Sequence, residues 1–206
     1  MSSKAKRGVK EADVIAGHLW FGMHRYLETK QYVYITCLRN PLETTVSGHL
    51  YTHAKMLQGK SPVIAAIMVK NWLQRKGIPS NFVKRLTGHI PRSVKSLDSL
   101  ADKAITNLRD YFAVVGVVEK YSLFIDLVEQ LLDPSGSLMP RDFWNAQKMK
   151  RENPSVVSSS KVLMILKEEN ATFIHEYNDT LKYDWRIYNV GIDLCMKQAK
   201  ARLKVI

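Results

Sequence analysis

The sequence predicts an α/β protein, a parallel sheet flanked by helices that ends in a helical C-terminal third. Residues Tyr32–Leu38 (YVYITCL) and Phe112–Val118 (FAVVGVV) carry the first half of that reading. They are apolar at nearly every position and rich in β-branched and aromatic types, as are strands of a parallel sheet covered on both faces. Between and after them, apolar residues recur at helical spacing.

The first strand is stopped by Arg39-Asn40-Pro41, because proline cannot continue a ladder. A helix over residues 43–57 follows, with Val46, Leu50 and Leu57 on one face. Pro62–Arg75 opens after Ser61, a good N-cap type, and stops before Gly77. Ser99–Tyr111 puts Leu100, Ala104, Ile105 and Leu108 together. The second strand ends at Glu119, and Ser122–Leu132 runs to a turn at Pro134–Gly136. Ser158–Glu168, Asn170–Leu181 and Asp184–Lys200 complete the helical third. The breaks at Gly77–Ser80 and Asp133–Pro140 are too short to link domains, and no repeat is present. Residues 1–206 therefore read as one domain, with 1–14 expected to be disordered.

Composition narrows the class. A chain of 206 residues that is 46% hydrophobic and 24% charged builds a sizeable core. No apolar run approaches the roughly 20 residues needed to span a bilayer. Met1–Glu11 is polar and basic, without the apolar region of a signal peptide. The net charge of +12 favours an anionic partner. Its spread over five separate segments argues against a nucleic-acid-binding arm, so no nucleic acid is expected. Cys37 and Cys195 are too few for a disulfide framework or a zinc site. Asn170-Ala-Thr172 and Asn178-Asp-Thr180 match the N-glycosylation sequon, a pattern common by chance.

The chemistry gathers at the first strand's end. A strand that turns into a helix brings backbone N–H groups and the positive end of the helix dipole together, which suits a phosphate. Arg39 stands at the strand tip, where its planar guanidinium suits two anionic oxygens. Ser47, eight residues on, offers a hydroxyl from the helix. On the residues alone, a solvated loop arginine and a surface helix serine are equally good readings.

The stretch YVYITCLRNPLETTVSGHLY (Tyr32–Tyr51) resembles the sulfotransferases of the heparan sulfate 2-O and uronyl 2-O type. Their strand is followed by Arg-Asp-Pro and, eight positions after the arginine, a serine. The resemblance implies that Arg39 and Ser47 hold the 3′-phosphate of the sulfate donor, 3′-phosphoadenosine 5′-phosphosulfate. Asn40 stands for the usual Asp, and Thr44 for a common second Arg. Gly17-His18-Leu-Trp-Phe-Gly-Met-His24 is similar to the family's segment before the strand, which implies His18 as the general base. Imidazole suits that role because its pKa lies near neutrality. Asn81–Gly88, Tyr111–Tyr121 and Asp184–Tyr188 resemble further family blocks, and Lys148–Ser155 (KMKRENPS) is similar to the basic loop over the donor, which implies Lys150 as a donor ligand. In these blocks Glu119 reads equally as a structural anchor and as a functional group, and Trp185 and Tyr188 read as packing residues.

The resemblance implies a P-loop-kinase-like sulfotransferase fold and transfer of a sulfuryl group to a carbohydrate hydroxyl. An acidic polysaccharide is a fitting acceptor, no metal is needed, and the family's usual compartment is the Golgi. The family's first strand and its 5′-phosphosulfate loop have no counterpart upstream of His18. The N-terminus of the fold is therefore expected to be incomplete, with a raw sheet edge, and the chain alone is expected to transfer no sulfate. The other open reading is a non-catalytic module on the same scaffold that binds nucleotides or polyanions.

Overall fold

A computed structural model describes residues 17, 20–26, 31–75, 80–91, 93–149 and 157–203. Among them the chain is mostly helical, with a small parallel sheet flanked by helices. Strand β1 is Tyr34–Leu38, followed by α1 (Pro41–Thr52), the single turn α2 (Ala54–Leu57), α3 (Pro62–Arg75), α4 (Asn81–Thr87) and α5 (Leu97–Tyr111). Then come β2 (Phe112–Val117), α6 (Tyr121–Leu132), α7 (Arg141–Met149), α8 (Ser159–Glu169), α9 (Ala171–Thr180) and α10 (Lys182–Arg202). The expected helical C-terminal third is α8 to α10. No described helix is long and apolar enough to cross a membrane.

β1 and β2 pair directly and in parallel, from Ile35 opposite Val114 to Leu38 opposite Val117. Both faces are covered, as the continuous apolar runs require. On one face Val115 and Val117 join Leu38, Leu108 and Ile187 in a core formed with α4, α5 and α10. On the other, Val114 packs with Leu127 and Cys195, and Phe124 of α6 lies over Gly116. α10 also reaches the sheet with a polar group, since Gln198 Oε1 accepts the Val115 N–H at 3.0 Å. A second core joins α1, α3, α8 and α9 through Val46, Leu50, Val69, Leu166 and Ile174.

Several boundaries differ from the sequence reading. The helix expected over 43–57 is two: Thr52 Oγ1 donates back to the Gly48 carbonyl at 2.8 Å, α1 ends there, and α2 starts anew after His53. Such hydroxyl back-bonding competes with the helical ladder. Asn81–Thr87 forms a helix that local pattern does not announce. It ends at Gly88, whose φ of 71° is a left-handed cap. Arg141–Met149 is helical as well, so Lys148 belongs to a helix and not to a loop. Its ammonium lies between Asp126 at 2.6 Å and Glu129 at 3.2 Å on α6, which leaves it satisfied within the fold.

Candidate functional site

Arg39 follows the last residue of β1 and Asn40 is the N-cap of α1, so the turn between them lies at the carboxyl end of the parallel pair. Ligands of open α/β sheets bind at that end. The Arg39 side chain is only 20% exposed, and its Nε donates to Glu43 Oε2 at 3.1 Å. Its Nη2 donates to Ser159 Oγ at 3.4 Å, on the first residue of α8. Two elements far apart in sequence thus converge on one guanidinium.

Ser47 is partly exposed on α1. Glu43 and Ser47 are one turn apart on the same helix face, about 6 Å along the axis. The guanidinium of the expected arginine–serine clamp is thus engaged by a carboxylate one turn before Ser47. Glu43 was visible in the sequence as the i+4 neighbour of Arg39. Ser159 was not, because nothing local ties it to a residue 120 positions earlier.

The amino end of α1 differs from an open phosphate cradle. Asn40 Oδ1 accepts the N–H groups of Leu42 (3.0 Å) and Glu43 (3.2 Å). This is the N-cap bond that asparagine makes well, and it occupies the amides that were expected to face an anion. The Asn40 N–H itself donates to Glu119 Oε1 at 3.0 Å. Glu119 also accepts a hydrogen bond from the Tyr188 phenol, whose pKa is pushed up by burial first and then by this carboxylate. Glu119 and Tyr188 are accordingly anchors of the turn.

Beside the turn lies a cavity of about 390 Å³, lined by Asn40, Glu43, Lys167, Ile174, Asn178 and Trp185 among others. The Trp185 indole N–H donates to Asn178 Oδ1 at 2.8 Å, which fixes the ring. That bond also uses the amide of the second sequon.

His18 and Lys150 lie outside the described residues. Phe21, three positions after His18, packs against Tyr34, Tyr111 and Phe112, and its N–H donates to the Arg85 carbonyl at 2.6 Å. Those partners stand at the amino ends of β1 and β2. From Tyr34 to Leu38 the strand rises roughly 13 Å, so this segment and Arg39 occupy opposite ends of the sheet. His24 is held there by Tyr34: its Nδ1 is 2.8 Å from the phenol oxygen, which also accepts the Gly22 and His24 N–H groups at 3.2 Å.

Asp184, at the start of α10, is 2% exposed and accepts the N–H groups of Asn81 (2.9 Å) and Phe82 (3.2 Å) at the amino end of α4. Burial raises its pKa to about 6, against the pull of these amides. It docks two blocks of the family resemblance onto each other and touches no residue of the Arg39 turn among the described contacts.

Compared with known protein families, curated proteins and solved structures, the chain matches none.

Proposed function

We propose that the chain serves sulfuryl transfer from 3′-phosphoadenosine 5′-phosphosulfate to a carbohydrate hydroxyl, on a P-loop-kinase-like sulfotransferase scaffold. In this reading Arg39 anchors the donor's 3′-phosphate, with Ser47 and Lys150 as further donor ligands and His18 as the base that takes the acceptor's proton. The observation that carries the reading is a half-buried guanidinium at the carboxyl end of a parallel strand, one residue before a capped helix. An arginine so placed grips phosphate through paired N–H donors. The +12 charge supports an acidic glycan as acceptor.

A second reading is a nucleotide- or polyanion-binding module without turnover; it is supported by the closed amino end of α1, where Asn40 Oδ1 already accepts the Leu42 and Glu43 N–H groups.

Calorimetric titration with 3′-phosphoadenosine 5′-phosphate tests both readings at their shared step. Binding at least tenfold tighter than that of 5′-adenosine monophosphate, lost in Arg39→Ala, is expected from a charge-assisted phosphate contact of about 1.5–3 kcal/mol. Equal affinity for the two nucleotides removes the enzyme and the nucleotide-binding module. Because the chain alone is expected to transfer no sulfate, donor-dependent sulfation of a glycan by a chain supplied with a 5′-phosphosulfate loop ahead of it then separates the enzyme from the module.

A further inference from the structure

We infer that Glu43 is a built-in competitor for the anion at Arg39, a carboxylate that stands where a phosphate oxygen binds and sets how tightly the site takes its ligand. The inference rests on the nucleotide reading of that site. Glu43 Oε2 lies 3.1 Å from Arg39 Nε, within charge-assisted hydrogen-bond distance. It is the position that one oxygen of a bound phosphate takes on a guanidinium. Ser159 Oγ occupies the other side, on Nη2. The fork is therefore already satisfied by an internal anion and an internal hydroxyl.

The two contacts answer differently to an incoming phosphate. A hydroxyl donates as well as accepts, so Ser159 turns its proton toward a phosphate oxygen and stays as a ligand. A carboxylate only accepts, and beside a dianion it is repelled. Glu43 must then swing away, and the 390 Å³ cavity that it lines together with Lys167 receives it. The exchange is feasible because a one-turn ion pair with side chains 20% and 38% exposed is weak, whereas arginine–phosphate contacts are strong. The amino end of α1 does not depend on the carboxylate, since the Asn40 side-chain Oδ1 accepts the Glu43 backbone N–H.

The test titrates the full chain with 3′-phosphoadenosine 5′-phosphate, comparing wild type with Glu43→Gln, Ser159→Ala and Glu168→Gln. Glu168 is exposed on α8 and its substitution makes the same change in net charge. Glu43→Gln is expected to tighten binding by about tenfold, combining loss of the pair with loss of carboxylate–phosphate repulsion. Ser159→Ala is expected to weaken it by about fivefold, the size of one lost hydroxyl contact, and Glu168→Gln to leave it within twofold. Arg39-dependent binding that Glu43→Gln leaves unchanged or weakens overturns the inference alone. Equal tightening by Glu168→Gln does so too, because bulk charge then explains it. Failure of every folded variant to bind the nucleotide overturns the nucleotide reading and this inference with it.

Discussion

Glu119, two residues past the end of β2, accepts the backbone N–H of Asn40 at 3.0 Å. The bond joins the end of one strand to the turn that leaves its neighbour, and the Tyr188 phenol completes the carboxylate from α10. Three elements are thereby fixed around Arg39. Residues in one such network are energetically coupled. A double-mutant cycle with Glu119→Ala and Tyr188→Phe, read by denaturant unfolding, is expected to give a coupling of about 0.5–3 kcal/mol. Additive losses would show that the two residues act independently.

Asp184 gives the fold a distinctive acid response. Its pKa rises from 3.8 to about 6 because burial penalises the charged form. The native state then holds a proton that the unfolded chain has released, so the contribution of Asp184 to stability is full below about pH 4 and falls as pH rises toward 6. At roughly 1.4 kcal/mol per decade, the loss is about 3 kcal/mol. Asp184→Asn is expected to remove this slope between pH 4 and 6.5. An unchanged slope in the variant refutes the assignment.

Tyr34 fixes the protonation of His24. With both lone pairs of the phenol oxygen taken by the Gly22 and His24 amides, its proton points to His24 Nδ1. His24 is then neutral, with its own proton on Nε2, and burial followed by Arg25 lowers its pKa below 6.5. The stabilisation is present above 6.5 and is lost as pH falls through the lowered folded value. Nitrogen-15 spectra are expected to show the Nε2–H tautomer in the wild type and a raised His24 pKa in Tyr34→Phe. An Nδ1–H tautomer contradicts the arrangement.

Two glycines at the sheet predict a graded pair of effects. A Cβ on Gly116 would clash with Cδ2 of Phe124 and stand 2.5 Å from its Cγ and 2.6 Å from its Cβ, so no single rotation relieves it. On Gly191 it would meet one terminal methyl of Leu38 at 2.6 Å. Overpacking costs about 1–3 kcal/mol. Gly116→Ala is expected at or above the top of that range and Gly191→Ala at the bottom, as measured by thermal unfolding. The reverse order would mean that α6 shifts more readily than α10.

The two strands were legible because every position of Ile35–Leu38 and Val114–Val117 faces protein on one side or the other, which leaves an unbroken apolar run in the sequence. Pro62–Arg75 was legible to the residue, with Ser61 ahead of it and a glycine beyond. α4 was hidden because it has seven residues and its amino end is satisfied by Asp184, about a hundred positions away. α7 was hidden because one buried residue, Trp144, sets no period. At the site, Arg39 could be singled out from its strand-tip position. The Asn40 cap is also local and is readable from residue type. The Ser159 contact exists only in three dimensions.

The ladder between β1 and β2 joins segments with α1 through α5 strung between them, so the chain must close that whole loop before its first inter-strand bond can form. Loop closure of this kind is slow relative to helix formation, and a high contact order delays the sheet. Glu43 can meet the guanidinium as soon as α1 forms, whereas the bond from Asn40 to Glu119 arrives only with strand pairing, so the turn that carries Arg39 is fixed late.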